Sequence, residues 1–186
     1  MRRTRNYLIW SVPGLALLVL LGGMTVQAKV TQGQVVQNVR SALLKLPYYG
    51  VFDYLEFSVN GRTRTVTLKG YATRPSLRKD AEAVVRHVKG VEEVVNQIEV
   101  LPLSPADDQI RRALYRSIYG TPALQRYGVG ANPPIHIIVK NGNVSLEGFV
   151  STENDKNIAG IQARGVGGTF AVKNDLQVES RSEKAE

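Results

Sequence analysis

Side chains that could move a proton or hold a metal near neutral pH are scarce: the chain has two histidines, His87 and His136, and no cysteine. Lacking cysteine, it has no thiolate nucleophile, no disulfide and no zinc-thiolate site. His87 falls in a helical stretch and His136 in an extended one, and neither has a second ligand at metal-binding spacing. The pairs Glu92-Glu93 and Asp107-Asp108 are adjacent in sequence and read as a solvated loop and a helix start rather than as an acid and a base. No G-x-S-x-G, H-E-x-x-H or phosphate-loop pattern is present, and Gly128-Val129-Gly130 lacks the preceding strand and following helix of a nucleotide loop. The residues therefore predict no enzyme, no cofactor and no catalytic or metal site.

The chemistry that remains is cationic. Arg111, Arg112 and Arg116 are read as polar-side positions of one helix, with Tyr115 and Tyr119 four residues apart on it. Arg78, Lys79, Arg86 and Lys89 stand off the apolar stripe of another helix, interrupted by Asp80 and Glu82. These nine residues are the candidate lipid or partner surface. An arginine-tyrosine helix can lie on an anionic bilayer, with guanidiniums at phosphates and phenols near the glycerol level. It can equally form a domain interface, or be an ordinary solvated helix. The formal charge is +8, or +5 if the 3 arginines Arg2, Arg3 and Arg5 leave with a signal segment. An excess of this kind favours anionic partners by a salt-sensitive attraction.

The elements that position these residues come in two copies. Val66 to Val100 and Val144 to Val178 align 78 positions apart without a gap. Gly70 falls on Gly148, Thr73 on Ser151, Gly90 on Gly168, Asn96 on Asn174 and Ile98 on Leu176. Ahead of each repeat lies a helical stripe: Val36, Val39, Leu43 and Leu46 in the first, Ile110, Ala113, Leu114 and Ile118 in the second. These helices align at an offset of 71, so the second unit carries seven more residues, in the Gly- and Pro-rich stretch Gly120 to Pro134.

Leu55–Val59 with Thr65–Tyr71, and Ile135–Val139 with Asn143–Val150, alternate as hairpin strands, and Asn60-Gly61 and Asn141-Gly142 supply positive-φ turn residues. Thr73 or Ser76 is expected to cap the first unit's second helix, with Pro75 at an early position and Ala81, Val84, Val85 and Val88 buried. Gly90 is expected to close that helix. The corresponding helix, about Asn154 to Arg164, is poorer, with Gly160 inside it and a glycine-rich exit. A final alternating strand follows, Val94 to Val100 or Phe170 to Val178, parallel to its predecessor by the right-handed crossover rule.

The predicted fold class is therefore α+β. It has two small repeated units, each helix-strand-strand-helix-strand, with a three-stranded mixed sheet covered on one face by two helices. The units span 32–101 and 107–179, joined by the stiff linker Pro102-Leu103-Ser104-Pro105, and a polar tail occupies 180–186. Tyr48-Tyr49-Gly50-Val51-Phe52 either closes the end of the first core or rests at a lipid headgroup layer. Residues 1–28 carry three arginines, an apolar run from Tyr7 to Leu21 and a small-residue cut site before Lys29, the layout of a signal peptide. The apolar character continues through Gly22-Gly23-Met24, so the segment also reads as an uncleaved anchor. Either way the units are expected outside the cytoplasm.

This arrangement resembles a tandem of BON domains. The resemblance rests on Gly70 and Gly148 after the second strand, Gly90 and Gly168 before the last, and the closing motifs Asn96-Gln97-Ile98-Glu99-Val100 and Asn174-Asp175-Leu176-Gln177-Val178. It implies the helix-hairpin-helix-strand fold and structural glycines, with Gly70 and Gly148 sitting where a side chain would obstruct the next helix or turn. It also implies a periplasmic or envelope location, and association with phospholipid and osmotic-stress tolerance rather than catalysis. The long glycine-proline loop and Gly168-Thr169 depart from the family pattern. Two functions follow as expectations: binding of anionic phospholipid surfaces, or a protein-binding scaffold among envelope proteins. Nucleic acid is not an expected partner, and weak self-association is compatible with both.

Overall fold

The computed structural model describes residues 30–130 and 132–179 of the chain. The N-terminal segment 1–28, with its signal-or-anchor reading, and the tail 180–186 lie outside the described residues.

Helix α1, Gln32–Leu44, begins with a capping box: Thr31 accepts from the Gln34 N–H while the Gln34 side chain returns to the Thr31 N–H. It buries Val35, Val39 and Leu43, so Val35 rather than Val36 belongs to the stripe and Val36 sits at its edge. Strands β1, Tyr54–Asn60, and β2, Thr65–Ala72, pair antiparallel. The turn between them is not made by positive φ at Asn60-Gly61. The Asn60 side chain accepts from the N–H groups of Arg62 and Thr63, and Arg64 takes the left-handed conformation at φ +53°.

Helix α2, Pro75–Arg86, has Pro75 in its first turn as expected, but its cap position is Arg74, which makes no side-chain cap bond. Thr73 is otherwise engaged: its N–H and hydroxyl both donate to the buried Asp53 carboxylate, at 2.6 and 2.7 Å. The helix buries Leu77, Ala81 and Val85, with Val84 and Val88 half-buried beside them. It ends at Arg86, and Gly90 serves the following turn instead, at φ +96° against Val35 and Val30.

The last strand is split into β3, Glu93–Asn96, and β4, Glu99–Val100, both parallel to β2. The interruption is built by Asn96, whose side-chain oxygen accepts from the Ile98 N–H while its amide donates to the Arg78 carbonyl of α2. The second unit repeats the order of elements. Helix α3, Pro105–Tyr119, is capped by Ser104. Strands β5, Ile135–Lys140, and β6, Asn143–Val150, close on a tight turn with Asn141 and Gly142 at positive φ. Helix α4, Glu153–Arg164, leads to β7, Ala171–Asn174, and β8, Gln177–Val178. Asn174 donates to the Lys156 carbonyl as Asn96 does to Arg78. A Cβ at Gly160 would come within 2.8 Å of the Asn174 amide, so that glycine leaves room for this clasp.

Each sheet buries one face under its two helices: Val66, Leu68 and Ala72 in the first unit, Ile135, Ile137, Val139, Val144 and Leu146 in the second. A fully enclosed side chain of this size contributes about 1.5–3 kcal/mol relative to exposure, and these two clusters are what hold the units. Gly70 and Gly148 lie opposite Leu55 and Ile135 at φ +109° and +107°. A Cβ at either would collide with a backbone carbonyl, that of Tyr54 or Pro134. The obstruction is therefore on the neighbouring strand, not on the following helix or turn. Gly148→Ala is expected to destabilise the chain by at least ~2 kcal/mol, from strain at a glycine-only conformation and loss of pairing, measurable by urea unfolding.

Candidate functional site

The nine cationic and aromatic positions do not form one surface. Arg78, Lys79, Arg86 and Lys89 are exposed on the first unit, where Arg86 pairs with Glu82 one turn earlier. On α3 the five split into two groups. Arg111 is only 4% exposed, and its guanidinium bonds Asp108 at 2.5 Å and the Val139 carbonyl at 2.6 Å. Tyr119 is also buried, with its hydroxyl on the Ile135 carbonyl and its ionisation pushed up by burial. Neither lies on the surface that the sequence predicts, because α3 turns them onto the edge of β5, where unpaired carbonyls need donors.

Arg112, Tyr115 and Arg116 remain exposed and adjacent. Tyr115 packs edge-on against Phe52, 6.3 Å between centroids, and tilts on Tyr119 at 4.9 Å. Beside them Val129 is 81% exposed, and with Tyr115, Arg116 and Gln125 it borders a shallow depression of about 360 Å³. The loop 120–134 thus sets an apolar tip next to Arg116, with Arg112 one turn back on α3; neither guanidinium has an ion-pair partner among the described residues.

The same loop has an internal task. Its short 3-10 turn, Gln125–Gly128, places the Tyr127 hydroxyl to accept from the Ser151 N–H at 2.8 Å and to donate to Asp155 at 2.9 Å. In the first unit the corresponding N–H, that of Thr73, goes to Asp53. Burial alone would raise the Asp155 carboxyl, but hydrogen bonds from Thr152 and Tyr127, with the Arg126 guanidinium, hold it below the usual range. Arg126 also stacks over the Tyr127 ring at 4.8 Å.

The two units meet along β5. The Ile137 N–H donates to the Val51 carbonyl at 2.7 Å, and Val51 and Phe52 pack against the second core. On the opposite face of β5, His136 is 7% exposed, stacked on Tyr49 at 5.4 Å and tilted against Tyr54 at 5.6 Å. Its Nε2 lies 3.5 Å from the Tyr49 hydroxyl, whose pKa burial pushes up to about 12. Lys140 pairs with Glu99 at 2.5 Å across the joint, and Asn132 donates to the Leu44 carbonyl. Tyr49, Val51 and Phe52 therefore join the units, whereas Tyr48 is exposed beneath the Arg74 guanidinium. Sequence reading missed Asp53, Tyr127, Asp155 and the role of His136. The one available signal was His136 itself, a histidine inside a run otherwise made of Ile and Val.

Among the described residues no cluster of three or more His, Cys, Asp or Glu could hold a metal, and no helix is long and apolar enough to cross a membrane. The family model described as BON domain matches the chain twice, over residues 31–102 and 106–180. A comparison with curated proteins found no match. Among solved structures, the chain is similar to the C-terminal domain of CdsD, described as the structural protein of the type III secretion system of Chlamydia trachomatis. The identity is 11%, over 81% of this chain and 100% of that one, with a TM-score of 0.32. A second CdsD structure from the same organism gives 11% identity over 81% and 95% of the two chains and a TM-score of 0.31.

Two measurements follow from this geometry. Arg111→Ala is expected to cost about 2–3 kcal/mol of stability, since it leaves the buried Val139 carbonyl unpaired, whereas Arg112→Ala stays within about 0.5 kcal/mol; chemical denaturation separates them. Burial lowers the His136 pKa from its ordinary 6.5, although the nearby Gly50 and Asp53 backbone and the Asp53 charge oppose this. The folded chain thus binds this proton less readily than the unfolded one, so this contribution is whole above pH 6.5 and is lost as pH falls through the lowered folded value. The expected outcome is a melting temperature that drops between pH 7.5 and 5, with a smaller drop in His136→Phe.

Proposed function

Since the chain belongs to the BON-domain family, with both of its units matching the family model, we propose that it binds anionic phospholipid surfaces through the exposed end of α3. BON domains are known in envelope and osmotic-stress proteins. The observation that carries the reading is the grouping of Arg112 and Arg116 around Tyr115 with the protruding Val129 beside them. Guanidiniums neutralise lipid phosphates, an amphipathic phenol suits the headgroup layer, and a bare valine at a loop tip can enter the acyl boundary. Tyr115 is braced from behind by Phe52 and Tyr119, and Arg112, Arg116 and Val129 are exposed around it. Arg78, Lys79, Arg86 and Lys89 on the first unit supply a weaker, diffuse attraction of the same sign.

On this reading the protein is a binding module rather than an enzyme. Its units work in the periplasm, behind an N-terminal export segment that leaves or stays as an anchor, and they support envelope integrity under osmotic stress. Flotation with vesicles containing phosphatidylglycerol, against neutral phosphatidylcholine vesicles, tests it. Binding is expected only to the acidic vesicles and should weaken from low to high salt. At about 1 kcal/mol per arginine near an anionic surface, the double variant Arg112→Ala/Arg116→Ala should bind ~30-fold more weakly. Equal flotation of the variant and the parent chain would overturn the assignment of this surface.

A further inference from the structure

An edge strand turns the backbone N–H and C=O of alternate residues outward, and those groups need partners. In the second unit each such residue has one of its two groups taken. The Ile135 carbonyl accepts from Tyr119, the Ile137 N–H donates to Val51, and the Val139 carbonyl accepts from Arg111. In the first unit the hairpin register makes Leu55, Phe57 and Val59 their counterparts, because Gly70 pairs with Leu55 as Gly148 pairs with Ile135. The Leu55 N–H reaches the Tyr49 hydroxyl at 3.4 Å and the Val59 carbonyl meets the Gln32 amide at 3.5 Å, so both point outward. By the two-residue alternation, Phe57 between them turns its N–H and its C=O the same way. Among the described residues neither group is bonded from a loop or a side chain.

The residues that close β5 have counterparts in the first unit, 71 positions earlier, and these counterparts are not folded inward. Tyr119 corresponds to Tyr48, which is 74% exposed at φ +65°. Arg111 corresponds to Arg40, which is exposed and lines a cleft of about 670 Å³ together with Leu55, Phe57 and Val59. Leu43 and Leu44 of α1 form one wall, and Pro134 and Phe149 of the second unit border the cleft from the other unit. The cleft runs into the established joint, sharing Tyr49, Tyr54 and His136 with it.

We propose that the free edge of β1 docks an extended segment of another protein, which adds as a strand beside β1, bonds the backbone of Phe57 and sets a carboxylate against Arg40. Outward N–H and C=O on one residue of a strand edge are matched by another extended backbone, and the apolar walls take its alternate side chains. Within the chain, the Val51 carbonyl on the Ile137 N–H shows one such edge group taken by backbone from outside its own sheet. Arg40 has no ion-pair partner among the described residues, while Glu56 and Glu179 also border the cleft, which confines the incoming carboxylate to the α1 side. This site is separate from the α3 surface of the membrane reading.

The test uses the full chain and a random dodecapeptide library displayed on phage. In the free chain the Phe57 amide is expected to exchange hydrogen at least ~10-fold faster than the Ile137 amide, as an open edge does against a closed one. Enriched peptides, synthesised, should slow exchange at Phe57, lose binding when N-methylated at every other residue in one phase but not the other, and bind Arg40→Glu at least ~10-fold more weakly. Arg40→Glu should melt with the parent chain, because Arg40 is exposed. A Phe57 amide already protected in the free chain would overturn the proposal. So would the absence of enriched peptides, or peptides that bind Arg40→Glu equally and leave Phe57 exchange unchanged.

Discussion

The Ile137 N–H that donates to the Val51 carbonyl at 2.7 Å ties the two units together at a point where the second unit could not otherwise be complete. Strand β5 is buried from Ile135 to Val139, on both faces, although a three-stranded unit with helices on one side can cover only one. The outer face and part of the edge are covered by the first unit: Tyr49 and Tyr54 over His136, Val51 and Phe52 against the second core. Small units of this size have marginal cores of their own, so the joint is part of the fold rather than a contact between finished domains. The short linker between β4 and α3 keeps this geometry at low entropic cost.

Closing β5 also explains which α3 residues remain available for a partner. Arg111 and Tyr119 sit within the run that carries Arg112, Tyr115 and Arg116, and by residue type all five suit an anionic membrane. Two of them are turned inward because the carbonyls of Val139 and Ile135 would otherwise be buried without donors, a penalty of about 1–3 kcal/mol each. The three left over, with Val129 on the inserted loop, are a smaller and more localised surface. The first unit has the same residue types 71 positions earlier, Arg40 on α1 and Tyr48 beyond its end at φ +65°, and leaves them outside. One repeat thus bonds every outward residue of its edge strand once, and the other leaves Phe57 between two bonded neighbours without a loop or side-chain partner among the described residues.

The seven-residue insertion fits the same economy. Asp53 in the first unit and Tyr127 in the second both serve the N–H at the start of the second helix, that of Thr73 or of Ser151. A carboxylate directly before β1 is replaced by a phenol delivered from the extra loop, and Asp155 then orients that phenol. The loop that reads as a departure from the repeat restores, by another route, a bond the repeat needs.

Much of this was legible in the sequence because it depends on local periodicity. The 78-residue repeat, the hairpins, the parallel third strand and the Pro75 start follow from alternation, helical spacing and backbone preferences that act within a few residues. The clasp residues Asn96 and Asn174 were visible as repeated letters, but their purpose was not, since each spans 18 positions from strand to helix. What only the tertiary structure decided is which polar residues are spent inside. Arg111 and Arg112 are neighbours of the same type; Asp108, one turn earlier, pairs with Arg111, but the bond that belongs to its burial is the one to the Val139 carbonyl, 28 positions away. His136 likewise becomes a buried joint residue only because Tyr49, 87 positions away, is brought onto its ring. Helix and strand are set by near neighbours, whereas the burial of a charge or an imidazole is set by whichever backbone group the fold leaves without a partner.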